Sequence, residues 1–165
     1  MKSEICADER INKMKKRIFA AMFAVLMLAV ALTACSGKGE SYTYSAKVTV
    51  SCESILEDMS VISEEKQALV PTDGYFLKDV TVGFNEGESA FTVLERALKD
   101  NKLHFEHDSA YIKGIGNIYT FDAGDMSGWL FKVNGEYGDV GLDQTVLSDG
   151  DELLVFYACD FMTDM

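Results

Sequence analysis

The chain has 165 residues and a formal net charge of −12, with 15 Lys and Arg against 27 Asp and Glu. Six of the basic and three of the acidic residues precede Cys35, so the part from Cys35 onward carries −15, a field that repels phosphate backbones and anionic headgroups and argues against nucleic acid as a partner. There is no Gly-x-Ser-x-Gly elbow, P-loop or dinucleotide fingerprint, so a binding or interaction protein is expected rather than an enzyme.

Lys13, Lys15, Lys16 and Arg17 stand before an unbroken apolar run over residues 18–32, long enough for a signal h-region and short for a membrane span. The run lacks the polar face of a core helix, and a plain transmembrane anchor would need more length. Leu32-Thr33-Ala34-Cys35 has the Leu-x-Ala-Cys pattern of a lipobox, in which Cys35 is lipidated and becomes the first mature residue. Residues 1–34 are thus expected to be a lipoprotein signal peptide. Acids at Glu4, Asp8 and Glu9 are unusual ahead of such a run, so Met14 is an alternative start. The expected location is the extracytoplasmic side of a membrane, held by the lipid. Residues 35–45, rich in Gly and Ser, read as a flexible tether, and 46–160 as one domain.

Within that domain Ala46, Val48, Val50 and Cys52 alternate with Lys47, Thr49 and Ser51, which predicts a half-buried strand. Residues 54–69 predict one or two short helical pieces that Pro71 stops, and residues 78–84 a second strand. Ser89 can cap a helix whose Ala90, Val93, Leu94, Ala97 and Leu98 share one face, with Glu95 and Lys99 at the i,i+4 spacing. Short strands follow in 103–107, 110–115, 118–121 and 128–133, with Asn134-Gly135 as a hairpin turn. The final apolar run from Leu153 predicts a central strand covered on both faces. This order predicts an α+β fold, a β-grasp-like mixed sheet with one main helix across it and the first and last strands parallel neighbours. Cys52 and Cys159 would end those two strands. In an oxidising compartment a disulfide between them is expected, with two buried thiols as the alternative.

His104 and His107 sit three apart, which on a strand sends their rings to opposite faces, and neither "FDAGD" nor "SDGDE" matches a calcium loop; no metal site is expected. Trp129 shares its strand face with Phe131 and Val133 and is expected to point coreward, its indole N–H reaching a loop carbonyl.

The segments "PTDGYFL", "GFNEGESAFTVLERAL", "SAYIKGIGNIYTFDAGDMSGWLFKVNGE" and "LSDGDELLVFYACD", in that order, resemble a domain of bacterial surface lipoproteins similar to the C-terminal domain of transcobalamin and intrinsic factor. The resemblance covers essentially the whole of 46–160. Positions near Leu98, Ala123 and Leu142, where many members carry further cysteines, are apolar here, so only the pair Cys52 and Cys159 is carried over. The resemblance implies ligand binding, with cobalamin or another corrinoid as the ligand and no cofactor required. In the eukaryotic carriers this domain covers one face of the corrinoid, so a lone copy offers half a site: it could bind a corrinoid weakly, bind it together with a transporter or surface protein, or have kept the fold for a different ligand. Loops around "SGWLFKVNGE" would form the rim, with Tyr111, Ser127 and Tyr137 as contacts and Trp129 as the wall behind them. The alternative is a cell-surface adhesion or scaffold module with no small ligand.

Overall fold

The computed structural model describes residues 41–162. The expected leader, Cys35 and most of the tether lie outside the described residues. Among the described residues no helix is long and apolar enough to cross a membrane.

β1 (Tyr44–Ser51) is the alternating strand, with Ala46, Val48 and Val50 buried beneath it. The stretch before Pro71 forms three short pieces: α1 (Glu53–Glu57), a 3-10 turn at Met59–Val61 and α2 (Glu64–Gln67). β2 (Tyr75–Phe84) returns antiparallel to β1. α3 (Ala90–Asp100) begins where Ser89 accepts a hydrogen bond from the Thr92 amide, and it buries the five apolar side chains that its periodicity selects. β3 (Phe105–Asp108), β4 (Tyr111–Ile115) and β5 (Ile118–Tyr119) form a three-stranded sheet. β6 (Gly128–Val133), β7 (Glu136–Tyr137) and β8 (Glu152–Ala158) complete a five-stranded sheet of order β2-β1-β8-β6-β7.

β1 and β8 run parallel, and every other pairing is antiparallel. This is the expected α+β architecture, with α3 as the main helix packed across a mixed sheet. One sheet face carries Ala46, Val48, Val50, Leu153, Val155, Tyr157 and Trp129 into a core shared with α3 and with Ile112, Ile115 and Ile118 of the small sheet. The other face carries Lys47, Thr49, Leu154, Phe156 and Lys132 and is not covered by α3. β8 is therefore central but covered on one face only, against the expectation from its apolar run. Leu154 and Phe156 stay half-buried on the open side.

The disulfide expected between Cys52 and Cys159 finds no support in the structure, in which no bond joins the two. Ser51 lies beside Phe156 as the last pair of the parallel register. Cys52 also leaves the strand to cap α1. The Cys159 Sγ instead donates to Ser54 Oγ at 3.5 Å, and Ser54 donates to the Tyr157 carbonyl.

Candidate functional site

A cleft of 580 Å³ lies on the open face of the large sheet, over β1 and β8 and against α1 and the first half of β2. Its floor is Thr49, Leu154 and Phe156, and its walls include Tyr75, Glu53 and Glu57. A bulge in β2 shapes the rim. Val48 pairs with Val80 and Val50 with Leu77, so Lys78 and Asp79 together oppose Thr49. Asp79 takes the left-handed φ of 51° that this bulge demands, and its amide donates to Thr49 Oγ1 at 3.1 Å. Lys78 holds its ammonium 4.0 Å from the centre of the Tyr75 ring, and the Tyr75 hydroxyl donates to Glu53. That bond to Glu53 raises the Tyr75 pKa, which keeps the phenol protonated as a donor. Across the cleft Lys47 pairs with Glu152 at 3.1 Å, and this bond raises the lysine pKa.

Such a surface has the volume range of small-molecule sites, an apolar floor and polar groups of both signs at its edge. It can stack a flat amphipathic body on Phe156 while Thr49, Ser51 and the two lysines take polar substituents. Phe156 continues sideways into Tyr137, ring centres 6.2 Å apart, with the Lys132 ammonium 4.2 Å above the Tyr137 ring.

The four residues expected at one rim do not come together, and none lines this cleft. Ser127 is fully buried, not an exposed loop contact: its hydroxyl donates to the Gly124 carbonyl at 2.8 Å, meets the Tyr157 hydroxyl at 3.0 Å and accepts from the Ala123 amide. Trp129 is in the core as expected, its Nε1 donating to the Ile118 carbonyl at 3.0 Å and its ring edge-on to Tyr157 at 5.3 Å. Tyr137 lies opposite Lys132, five residues along β6 from Ser127, roughly 17 Å of strand. The two loops that flank β6 are thus at opposite ends of the strand and cannot frame one rim. Tyr111 is exposed on the separate small sheet. Of the four, only Tyr137 neighbours the cleft, through Phe156.

The cleft residues escaped the sequence because Lys47, Thr49 and Ser51 alternate as any solvated strand face does. The available signal was in β8, where Leu154 and Phe156 are apolar on a face that a one-sided sheet leaves polar. His104 and His107 do not meet: His107 stacks on Phe105 with ring centres 4.9 Å apart, while His104 turns to Glu106.

A family model described as a domain of unknown function (DUF4430) matches residues 87–158. No curated protein matches the sequence. Among solved structures the chain is similar to haptocorrin in complex with Cbi, at 19% identity and a TM-score of 0.47, over 76% of this chain and 28% of that one. It is also similar to a protein from Ruminococcus gnavus ATCC 29149 provisionally described as metal binding, at 17% identity and a TM-score of 0.40, over 70% of this chain and 96% of that one. The chain therefore spans under a third of the length of haptocorrin.

Proposed function

We propose that this protein is a lipid-anchored, extracytoplasmic module that binds a flat amphipathic small molecule, of corrinoid class, in the open-face cleft without turning it over. One observation carries the reading: the central strand of the sheet presents Leu154 and Phe156, half-buried, at the bottom of a 580 Å³ cleft, with no helix or second sheet of the described residues layered over them and only Tyr137 and the Lys132 ammonium, 5.5 Å from the Phe156 ring centre, at their side. Apolar side chains on a central strand are normally covered, and a bound ring system would cover them. The sequence resemblance to transcobalamin-type domains supports the corrinoid class, and the charged, apolar, lipobox order supports the anchor. A cleft open on one side leaves the far face of the ligand for a second protein, in keeping with half a site.

Equilibrium dialysis of the full chain in detergent micelles against cobalamin tests this. Saturable binding is expected at millimolar ligand or below. Thr49→Trp, which fills the cleft, should abolish it with the thermal melt retained, and Phe156→Ala should weaken it by about 1 kcal/mol, roughly fivefold, through lost stacking. Absence of saturable binding, or binding indifferent to Thr49→Trp in a folded variant, would overturn the reading.

A further inference from the structure

A second cluster lies away from the cleft, on the small sheet, and does not depend on it. His104 Nε2 stands 2.8 Å from Glu106 Oε1, Tyr119 Oη donates to the same oxygen at 2.7 Å, and Tyr119 Oη is 3.3 Å from His104 Nε2. Three donor atoms of different chemistry thus form a closed triangle, open to solvent on one side, since His104 and Glu106 are 45% and 48% exposed. Two donors bonded to one transition-metal ion at ordinary lengths and at angles between octahedral and tetrahedral stand about 2.9 to 3.5 Å apart. An ion would enter this triangle after shifts of a few tenths of an ångström. Among the described residues no three His, Cys, Asp or Glu side chains gather, and the third donor here is a tyrosine.

The backbone is arranged to let the triangle form. Glu106 and Tyr119 are both register partners of Gly114, one on each side of β4, so their backbones are about 10 Å apart. Tyr119 reaches Glu106 by laying its ring across Gly114, where an added Cβ would stand 2.6 Å from the ring. Any other residue at 114 would push the phenol away. The ring is also held from behind: the Lys66 ammonium sits 4.7 Å from its centre, and Asp122, paired with Lys66, accepts from the Tyr119 amide at 2.6 Å. His104 is fixed through its carbonyl, which accepts from the Gly116 amide.

We propose that His104, Glu106 and Tyr119 are three ligands of a divalent transition-metal site of zinc class, with the remaining position open to water or an external ligand. Imidazole nitrogen, carboxylate and phenol oxygen are borderline-to-hard donors, which suits this class over soft monovalent copper. Three protein ligands and an open position are the usual arrangement of a reactive rather than a purely structural zinc site. On binding, the proton that Nε2 turns toward Glu106 shifts to Nδ1, so that the neutral imidazole offers its Nε2 lone pair, and the Tyr119 phenol releases its proton to solvent; metal and proton then exchange one for one.

The test uses zinc as the probe on the full chain in detergent micelles, stripped with chelator. Calorimetry should find one zinc per chain, and an ultraviolet phenolate difference band should grow with occupancy. Tyr119→Phe should abolish the band, and His104→Ala should weaken binding at least about a hundredfold, beyond what loss of an outer-shell partner costs. Gly114→Ala, which touches no ligand atom, should weaken it about tenfold or more by displacing the Tyr119 ring. His107→Ala should bind as wild type, and circular dichroism melts confirm that each variant folds. No zinc uptake at millimolar concentration, or uptake unaffected by His104→Ala, would overturn the site. Uptake without a phenolate band would overturn the three-ligand assignment.

Discussion

Tyr157 shows how single residues organise this core. Its ring is 1% exposed, yet its hydroxyl donates to the Tyr119 carbonyl at 2.9 Å and meets Ser127 and the Ala123 amide, and burial raises its pKa. Among the described residues no buried side-chain nitrogen or oxygen lacks a hydrogen-bond partner. Trp129 rests edge-on against that ring, and Trp129→Ala should cost about 3 to 5 kcal/mol in denaturant unfolding, with little left for the cavity to collapse onto. Cys52 is fully buried, and that burial, with Asp73 next in effect, pushes its thiol up to about 12 from 9.0. Iodoacetamide at mildly alkaline pH should therefore leave Cys52 intact in the native chain and label it after denaturation. Linkage gives the matching stability effect. Above pH 9 the unfolded chain loses this proton while the folded chain keeps it, so stability should fall toward pH 12 by up to about 1.4 kcal/mol per unit, a slope missing in Cys52→Ala.

Among the elements, α3 is the one whose start and buried face follow from local sequence alone. Ser89 caps it and five apolar residues on one stripe face the sheet, so its start and orientation need no distant information. Ser89→Ala should lower stability by about 1 kcal/mol in chemical denaturation while leaving the proposed zinc and cobalamin binding unchanged. The expected Glu95 and Lys99 spacing is not what ties the helix down. Arg96 does so, donating to the Gly83 carbonyl at 2.7 Å and to Glu88 at 2.5 Å, and so joining α3 to the end of β2. Burial works against the Glu88 carboxylate, but Arg96 and the Asn85 amide outweigh it and hold its pKa below the usual value. The support from Glu88 is thus present above the ordinary carboxylate range and is lost as pH falls through the lowered value.

For the whole molecule, the proposed cleft and the proposed metal site lie on different sheets, and the proposed anchor falls outside the described residues, so each proposal has its own test. Cys35→Ala should move the protein out of the lipidated membrane fraction and leave the proposed cobalamin and zinc binding as in wild type; an unmodified Cys35 in the mass spectrum of the membrane-extracted protein would refute the anchor. What the sequence determined by itself was local or periodic: the alternation of β1, the cap and stripe of α3, the Asn134-Gly135 hairpin, and a coreward Trp129 with a carbonyl for its indole. The parallel pairing of β1 with β8 was also legible, because the element order suggested a β-grasp type of topology, in which the first and last strands lie side by side and parallel. Only the tertiary structure decided the rest. The two ends of "SGWLFKVNGE" are set apart by the length of β6. The cleft depends on a bulge at Lys78 and Asp79, and on the absence of a covering layer over Leu154 and Phe156. His104, Glu106 and Tyr119 converge because Gly114 lies between two strands that only pairing brings together. Periodicity records which face a side chain takes, whereas register, bulges and missing layers arise from contacts between residues distant in sequence, and those place one side chain beside another.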